Sequence, residues 1–297
     1  MKIKIPNPKD YFNPVYLKYL WGVWRRVRVI FGGSSSGKSK YLADEKILEC
    51  LQGRNCLVAR KVAGTLKNSV WKELKDSISR LNLSKCFKVN ESDKTITSII
   101  NNKQIVCIGI DDVEKVKGIR PLLGVWDTIW IEEATEISKT DYKQLRKRQR
   151  GRSKHKKRMD LSFNPIYKSH WIYKELFKGM DFQLKESDLD DWENIDEYKR
   201  YYIDDDILIL KTIFPDNEFL DDDEKKDLRE EKDMYFFQVY SLGNWGVLGD
   251  LIFRNARMED FSDIESTFDN YRNGLDWGFA DDPLAFIRMH FDIHICK

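Results

Sequence analysis

Residues 27–39 read VRVIFGGSSSGKS, and the rest of the chain becomes legible from this stretch. Val27, Val29 and Phe31 belong to an apolar, β-branched run that predicts a strand, after which glycine and serine take over and the run closes on Gly37-Lys38-Ser39. Gly32, four residues, then Gly-Lys-Ser is the spacing of a phosphate-binding loop, in which successive backbone N–H groups line an anion site. The glycines matter because such a loop approaches phosphate closely, at φ angles that a side chain forbids. The helix predicted by Tyr41, Leu42, Ile47, Leu48 and Leu51 points its positive end at the same anion. Gly32, Gly33, Ser34, Ser35, Ser36, Gly37, Lys38 and Ser39 are therefore expected to hold a nucleotide, with Lys38 reaching the β and γ phosphates and Ser39 holding Mg²⁺. A plain glycine-serine turn would not explain why a lysine and a hydroxyl follow at once.

The whole chain sets wide bounds around that loop. Its 297 residues suffice for one large domain or two smaller ones. Charged residues make up 34% and aromatics 13%, so the chain is hydrophilic yet has ample material for a core, and wholesale disorder is excluded. A formal charge of +2 means that any nucleic-acid affinity must come from local clustering. Cysteines 50, 56, 86, 107 and 296 show no paired metal-ligand spacing and read as reduced core residues. No apolar stretch is long enough to span a bilayer and the first residues lack a signal-peptide core, which points to the cytoplasm and away from membranes.

Upstream of the loop, residues 1–26 carry Tyr11, Phe12, Tyr16, Tyr19, Trp21 and Trp24, which could stack on a nucleotide base, although packing is the commoner use of such residues. Downstream, residues 56–59 predict a second strand ending on Arg60-Lys61, and Leu66, Val70, Leu74, Ile78 and Leu81 recur on one face of a helix. Residues 95–100 and 104–110 predict a hairpin. The loop 111–124 then carries Lys115, Lys117, Gly118 and Arg120.

Residues 127–131, DTIWI, form a buried-strand pattern that runs into Glu132 and Glu133. Carboxylates at the carboxyl end of a central strand are where an α/β sheet places its chemistry. The first would join the Mg²⁺ shell and the second would polarise the attacking water, against the alternative of acidic residues stabilising a helix N-terminus. Residues 143–158, KQLRKRQRGRSKHKKR, are the densest basic run, either a phosphate-backbone contact through Arg146, Arg148, Arg150 and Arg152 or a solvated loop. Residues 159–165 predict a short strand stopped by Asn164-Pro165, where a polar residue could sense the γ-phosphate. Residues 181–233 turn acidic and predict a small lid or linker with a strand candidate at 207–214, one or two helices over 224–240, and Asp216-Asn217 as a helix cap. The carboxylate runs there read as solvated surface rather than a metal site. Residues 271–276 and 284–291 predict the first hairpin of a new sheet.

Taken in order, GGSSSGKS, IWIEEATEI, QLRKRQRG, SFNP, SLGNWG and GLDWGFADDPLAF resemble the motifs of the large terminase subunits of tailed bacteriophages, which are DNA-packaging ATPases and nucleases. The resemblance implies an α/β fold: a P-loop NTPase core with a mainly parallel central sheet over residues 1–178, an acidic helical lid or linker over 179–253, and the first strands of an RNase H-like domain over 254–297. It implies a Mg²⁺-dependent ATPase in which Lys38, Glu133 and Asn164 are catalytic or coupling residues and Glu132 with Ser39 binds the metal. Asp276 matches the first metal-binding aspartate of the nuclease, where Mg²⁺ or Mn²⁺ would act. Further nuclease ligands in the family come from later strands, so the chain as given is expected to hydrolyse ATP but not to cut DNA. The loop itself lacks an arginine, which leaves Arg60, Arg120 and Arg148 as candidates for the charge-neutralising finger, in cis or from a neighbour. The implied partners are double-stranded DNA, the portal protein, the terminase small subunit and further copies in a ring, in the cytoplasm of the bacterial host and transiently at the procapsid portal. A helicase-like motor and a nucleotide-binding but non-catalytic assembly subunit remain alternatives.

Overall fold

The computed structural model describes residues 7–111, 118–177, 179–246, 270–276 and 285–290. Residues up to 249 form one compact unit and those from 250 a second. In the first, a short helix α1 (Pro14–Tyr19) precedes β1 (Val27–Gly32), α2 (Lys38–Leu51), β2 (Cys56–Arg60) and α3 (Val70–Arg80). The predicted helical stripe thus starts later than Leu66, which lies in a 3₁₀ turn (Ala63–Asn68). Three strands follow, β3 (Phe87–Asn90), β4 (Thr95–Ser98) and β5 (Gln104–Gly109), the last two forming the predicted hairpin. Then come β6 (Thr128–Glu132), α4 (Lys139–Arg148), β7 (Arg158–Phe163), α5 (Trp171–Leu176), β8 (Tyr201–Ile203), β9 (Ile207–Thr212) and α6 (Asp222–Arg229).

All nine strands form one sheet in the order β3-β4-β5-β2-β6-β7-β1-β9-β8. The six from β5 to β9 are parallel, and the antiparallel pairs lie at the two edges. Parallel strands covered on both faces need apolar residues at nearly every position, and β1, β6, β7 and β9 are buried along their whole length. Parity sorts the two faces. Ile30, Val58, Trp130, Leu208 and Leu210 pack with α1, α2 and α3, whereas Val29, Phe31, Ile129, Leu161 and Ile209 pack with α4, α5 and Trp245.

The strand at Ile207–Thr212, expected within a lid, is instead an inner strand of this sheet, in register with β1 from Val27↔Ile207 to Gly32↔Thr212. Its run ILIL is as apolar as β1, and burial on two faces outweighs the acidic residues around it. Asp216-Asn217 caps a 3₁₀ turn (Phe214–Asp216) and not α6: Asp216 accepts the Ile213 N–H and is buried against Arg200, Asn217 closes the turn, and Asp221 caps α6. Of the N-terminal aromatics, Tyr11, Phe12, Tyr16 and Tyr19 are core residues, Trp21 packs half-buried against them, and Trp24 is partly exposed. Phe12 and Tyr16 pack on Tyr41 of α2 with ring centroids 4.9 and 4.6 Å apart.

Beneath α2, the even face of β1 and β7 carries charge. Arg28 and Asp160 are cross-strand partners, and with Glu45, Lys46, Glu49 and Arg158 they form a buried network of three cations and three carboxylates. Arg158, which the sequence places at the end of the basic run, is thus an interior residue. The cysteines at 50, 56, 86 and 107 are buried free thiols, and Cys296 lies outside the described residues.

The second unit is described as a hairpin, β10 (Tyr271–Asp276) antiparallel to β11 (Ala285–His290), with Asp276 opposite Ala285. The predicted hairpin is there, while residues 254–269, 277–284 and 291–297 lie outside the described part, as do Lys115 and Lys117.

Candidate nucleotide site

The loop forms where β1 ends. Gly32 takes φ +138, and a Cβ there would stand 1.9 Å from the Thr212 carbonyl oxygen, so only glycine fits between the two strands. Gly33 donates its N–H to that carbonyl at 2.9 Å and Ser34 donates to Tyr240 C=O at 2.7 Å. Gly37, at φ +83, is the N-cap of α2 and offers no side chain, which leaves the first N–H groups of a 14-residue helix facing the cleft. The loop from Ser34 to Lys40, with Glu133 and Asn164, lines an open cleft of about 270 Å³.

Lys38 turns into the loop and donates to the carbonyls of Gly32 and Gly33 and to Ser36 Oγ. Burial pushes its ammonium down to about 8, and Glu133 opposes the shift. Glu132, the last residue of β6, is pushed up to about 7 by burial, against Arg60, while Glu133 adds to the rise and the Ser69 and Ser39 hydroxyls oppose it. Its Oε2 is buried without a hydrogen-bond partner. Glu133 stands at φ +49, ψ +54, a left-handed conformation that costs a glutamate about 1 kcal/mol or more. Burial raises its carboxyl, with Lys38 and Arg60 opposing. Asn164 follows β7 and its Nδ2 lies 3.4 Å from Ser34 Oγ, whereas its neighbour Ser162 is buried and accepts from Trp130 Nε1.

Of the three candidate finger arginines, the structure brings Arg60 to the carboxylates: it ends β2 with its guanidinium 3.7 Å from Glu132 and 3.8 Å from Glu136. Arg148 is a correction as a finger in cis. It is followed by Gln149, whose amide donates to the carbonyls of Asp127 and Arg158 at the amino ends of β6 and β7. A six-residue strand at about 3.3 Å per residue separates that end from the cleft. Arg120 is exposed near Leu122, whose N–H donates to Gln104 at the start of β5. The basic run occupies the same far end of the sheet, with Arg146, Arg150 and Arg152 exposed and Arg148 half-buried.

The model of the phage terminase large subunit family matches residues 25–244. The chain belongs to this family. It is 28% identical to the terminase large subunit of Bacillus phage SPP1 over 95% of its length and 26% identical to the PBSX phage terminase large subunit of Bacillus subtilis strain 168 over 94%. It spans 65% and 64% of those proteins. The large terminase of a thermophilic bacteriophage shares the fold at TM-score 0.54 and 18% identity, covering 91% of this chain and 61% of that one. The large terminase ATPase domain of Thermus phage P74-26 shares it at TM-score 0.53 and 14% identity, covering 80% and 98%.

The sequence reading missed what backs the loop. A π-helical turn (Phe237–Ser241) places the Tyr240 carbonyl on Ser34, and Gly243, at φ +60, leaves a Cβ position only 2.5 Å from Gly33 N. The SLGNWG motif was the available signal, because a glycine beside Asn-Trp in a linker has no helical or strand use. In this family member, Gly243→Ala should cost about 1–3 kcal/mol of strain, read as a Tm several degrees lower, and should weaken nucleotide binding. Calorimetry on the full chain measures both.

Proposed function

We propose that the chain is the ATP-hydrolysing motor subunit that moves double-stranded DNA into a procapsid, acting with a portal, a small subunit and further copies of itself. The observation that carries the reading is the convergence of Lys38, Ser39, Glu133 and Asn164 on one cleft at the amino end of α2. The named relatives are terminase large subunits, and the thermophilic phage's large terminase has one structure in complex with ADP and another in complex with ATP-γ-S, which supports ATP as the substrate.

ATP phosphates would sit on the loop amides, where the helix dipole favours negative charge. Lys38 would exchange the Gly32 and Gly33 carbonyls for phosphate oxygens. Ser39 and the Oε2 of Glu132, which is buried with no hydrogen bond, fit a Mg²⁺ ion, which takes oxygen ligands and few protein groups. Mg²⁺ would neutralise charge on the β and γ phosphates. Arg60 holds Glu132 in place from 3.7 Å, and Glu133 orients the attacking water. Asn164, against Ser34, would register the loss of the γ-phosphate.

Phosphate release measured with and without DNA and portal tests the reading; absence of ATP turnover under all conditions would defeat it. The exposed basic loop is the proposed DNA contact. Replacing Arg146, Arg150 and Arg152 by serine should lower the slope of log affinity against log salt by about two to three, at roughly 0.9 per phosphate contact. An unchanged slope would make the run a solvated face. Among the described residues no helix is long and apolar enough to cross a membrane.

A further inference from the structure

The geometry points to Phe219 as the platform on which the base of the bound nucleotide stacks, an inference that rests on the nucleotide reading of the loop and extends it to a residue outside every motif. After β9 the chain returns across the mouth of the loop. Asn217 donates from Nδ2 to the Ser35 carbonyl at 2.7 Å, and its Oδ1 accepts from the Phe219 N–H and from Asn13 Nδ2, both at 3.2 Å. Asn13 in turn accepts the Glu218 N–H at 3.1 Å. Two side-chain amides therefore pin residues 217–219 to the loop where it enters α2. Within this fixed turn Phe219 keeps 48% of its surface exposed. Lys40 Nζ lies 4.0 Å from the centre of its ring, and Lys40 itself lines the phosphate cleft.

The direction of the nucleotide follows from the loop. Lys38 and Glu133 mark the γ-phosphate end, Ser39 the Mg²⁺ position at the β and γ phosphates, and Lys40, one residue further along α2, the α-phosphate end. Ribose and base must then leave the cleft past Lys40, the residue whose ammonium lies on the Phe219 ring. A base seated there takes the place of the ammonium on the ring, and Lys40 is left beside the α-phosphate. An exposed cation–π contact is weak, so by itself it gives little reason to hold a phenyl ring in water on a turn pinned by two side-chain amides. Stacking reads the face of a base and not its edge, so ATP and GTP should bind alike and UTP more weakly.

The test compares ATP with inorganic triphosphate, both with Mg²⁺, by calorimetry on the full chain. Phe219→Ala should weaken ATP by roughly 5- to 150-fold, the range for losing a base–aromatic stack, and leave triphosphate unchanged. Phe219→Trp should retain ATP affinity, and since the side chain is half exposed neither variant should fail to fold. Equal losses for both probes, or no loss for ATP, would overturn the inference, as would a wild type that binds both probes equally. A wild type that binds neither would overturn the nucleotide reading itself.

Discussion

Glu133→Gln should lower ATP hydrolysis by about 10²–10⁴-fold, the usual worth of a positioned general base, while nucleotide affinity should stay close to wild type. Glutamine keeps the shape of the side chain and reaches the same left-handed backbone, so the cleft around Lys38 and Asn164 is preserved. What it cannot do is draw a proton from water. The charge on Glu133 is also poised by its surroundings: burial raises its carboxyl, with Lys38 and Arg60 opposing. A raised value means that the carboxylate is lost as pH falls at a point above the ordinary carboxylate range. The acid limb of the pH–rate profile should therefore sit above about 4.3, the value of a free glutamate. Phosphate release and equilibrium ATP binding, measured side by side, decide the matter; a variant that turns over normally removes Glu133 from the mechanism.

The parts of this site that were legible in sequence are those made by contiguous residues. VRVIFGGSSSGKS fixes strand, loop and helix in thirteen positions, and DTIWIEE places two carboxylates at a strand end, because local spacing alone dictates what each backbone group meets. Contacts between distant segments were not legible. That Thr212 and Tyr240 would both bond the loop depends on β9 being the neighbour of β1, and its setting among Asp204, Asp205 and Asp206 disguised a core strand as part of a lid. Arg158 shows the same limit: it sits in a basic run by sequence, yet strand parity turns it inward to Glu45 and Asp160. The ordering of the basic loop and the nucleotide cleft at opposite ends of one sheet likewise appears only once the parallel register is known.

That inward network should decide stability. Asp160 is fully buried, 2.7 Å from Arg28, 2.6 Å from Lys46 and 2.9 Å from Arg158. Asp160→Ala leaves three interior cations facing only Glu45 and Glu49, and removing one member of a buried ionic cluster typically costs about 3–5 kcal/mol. Against a total of roughly 5–15 kcal/mol for a domain, that is enough to populate unfolded chain at growth temperature. Burial alone would raise the Asp160 carboxyl, but Arg158, Arg28 and Lys46 outweigh it and hold the group well below the usual carboxylate range. A depressed folded value contributes stability that is complete above the unfolded value near 3.9 and is lost as pH falls through the folded one. Wild type should therefore lose stability steeply below about pH 4, and the variant, already weak at neutral pH, should show a shallower acid limb. Arg28→Met together with Asp160→Leu should cost less than the sum of the single changes, because the residues share one network. Urea unfolding at pH 7 and pH 3.5 reads both effects, and a neutral-pH cost for Asp160→Ala under about 1 kcal/mol would mean that α2 is held on the sheet by its apolar contacts alone.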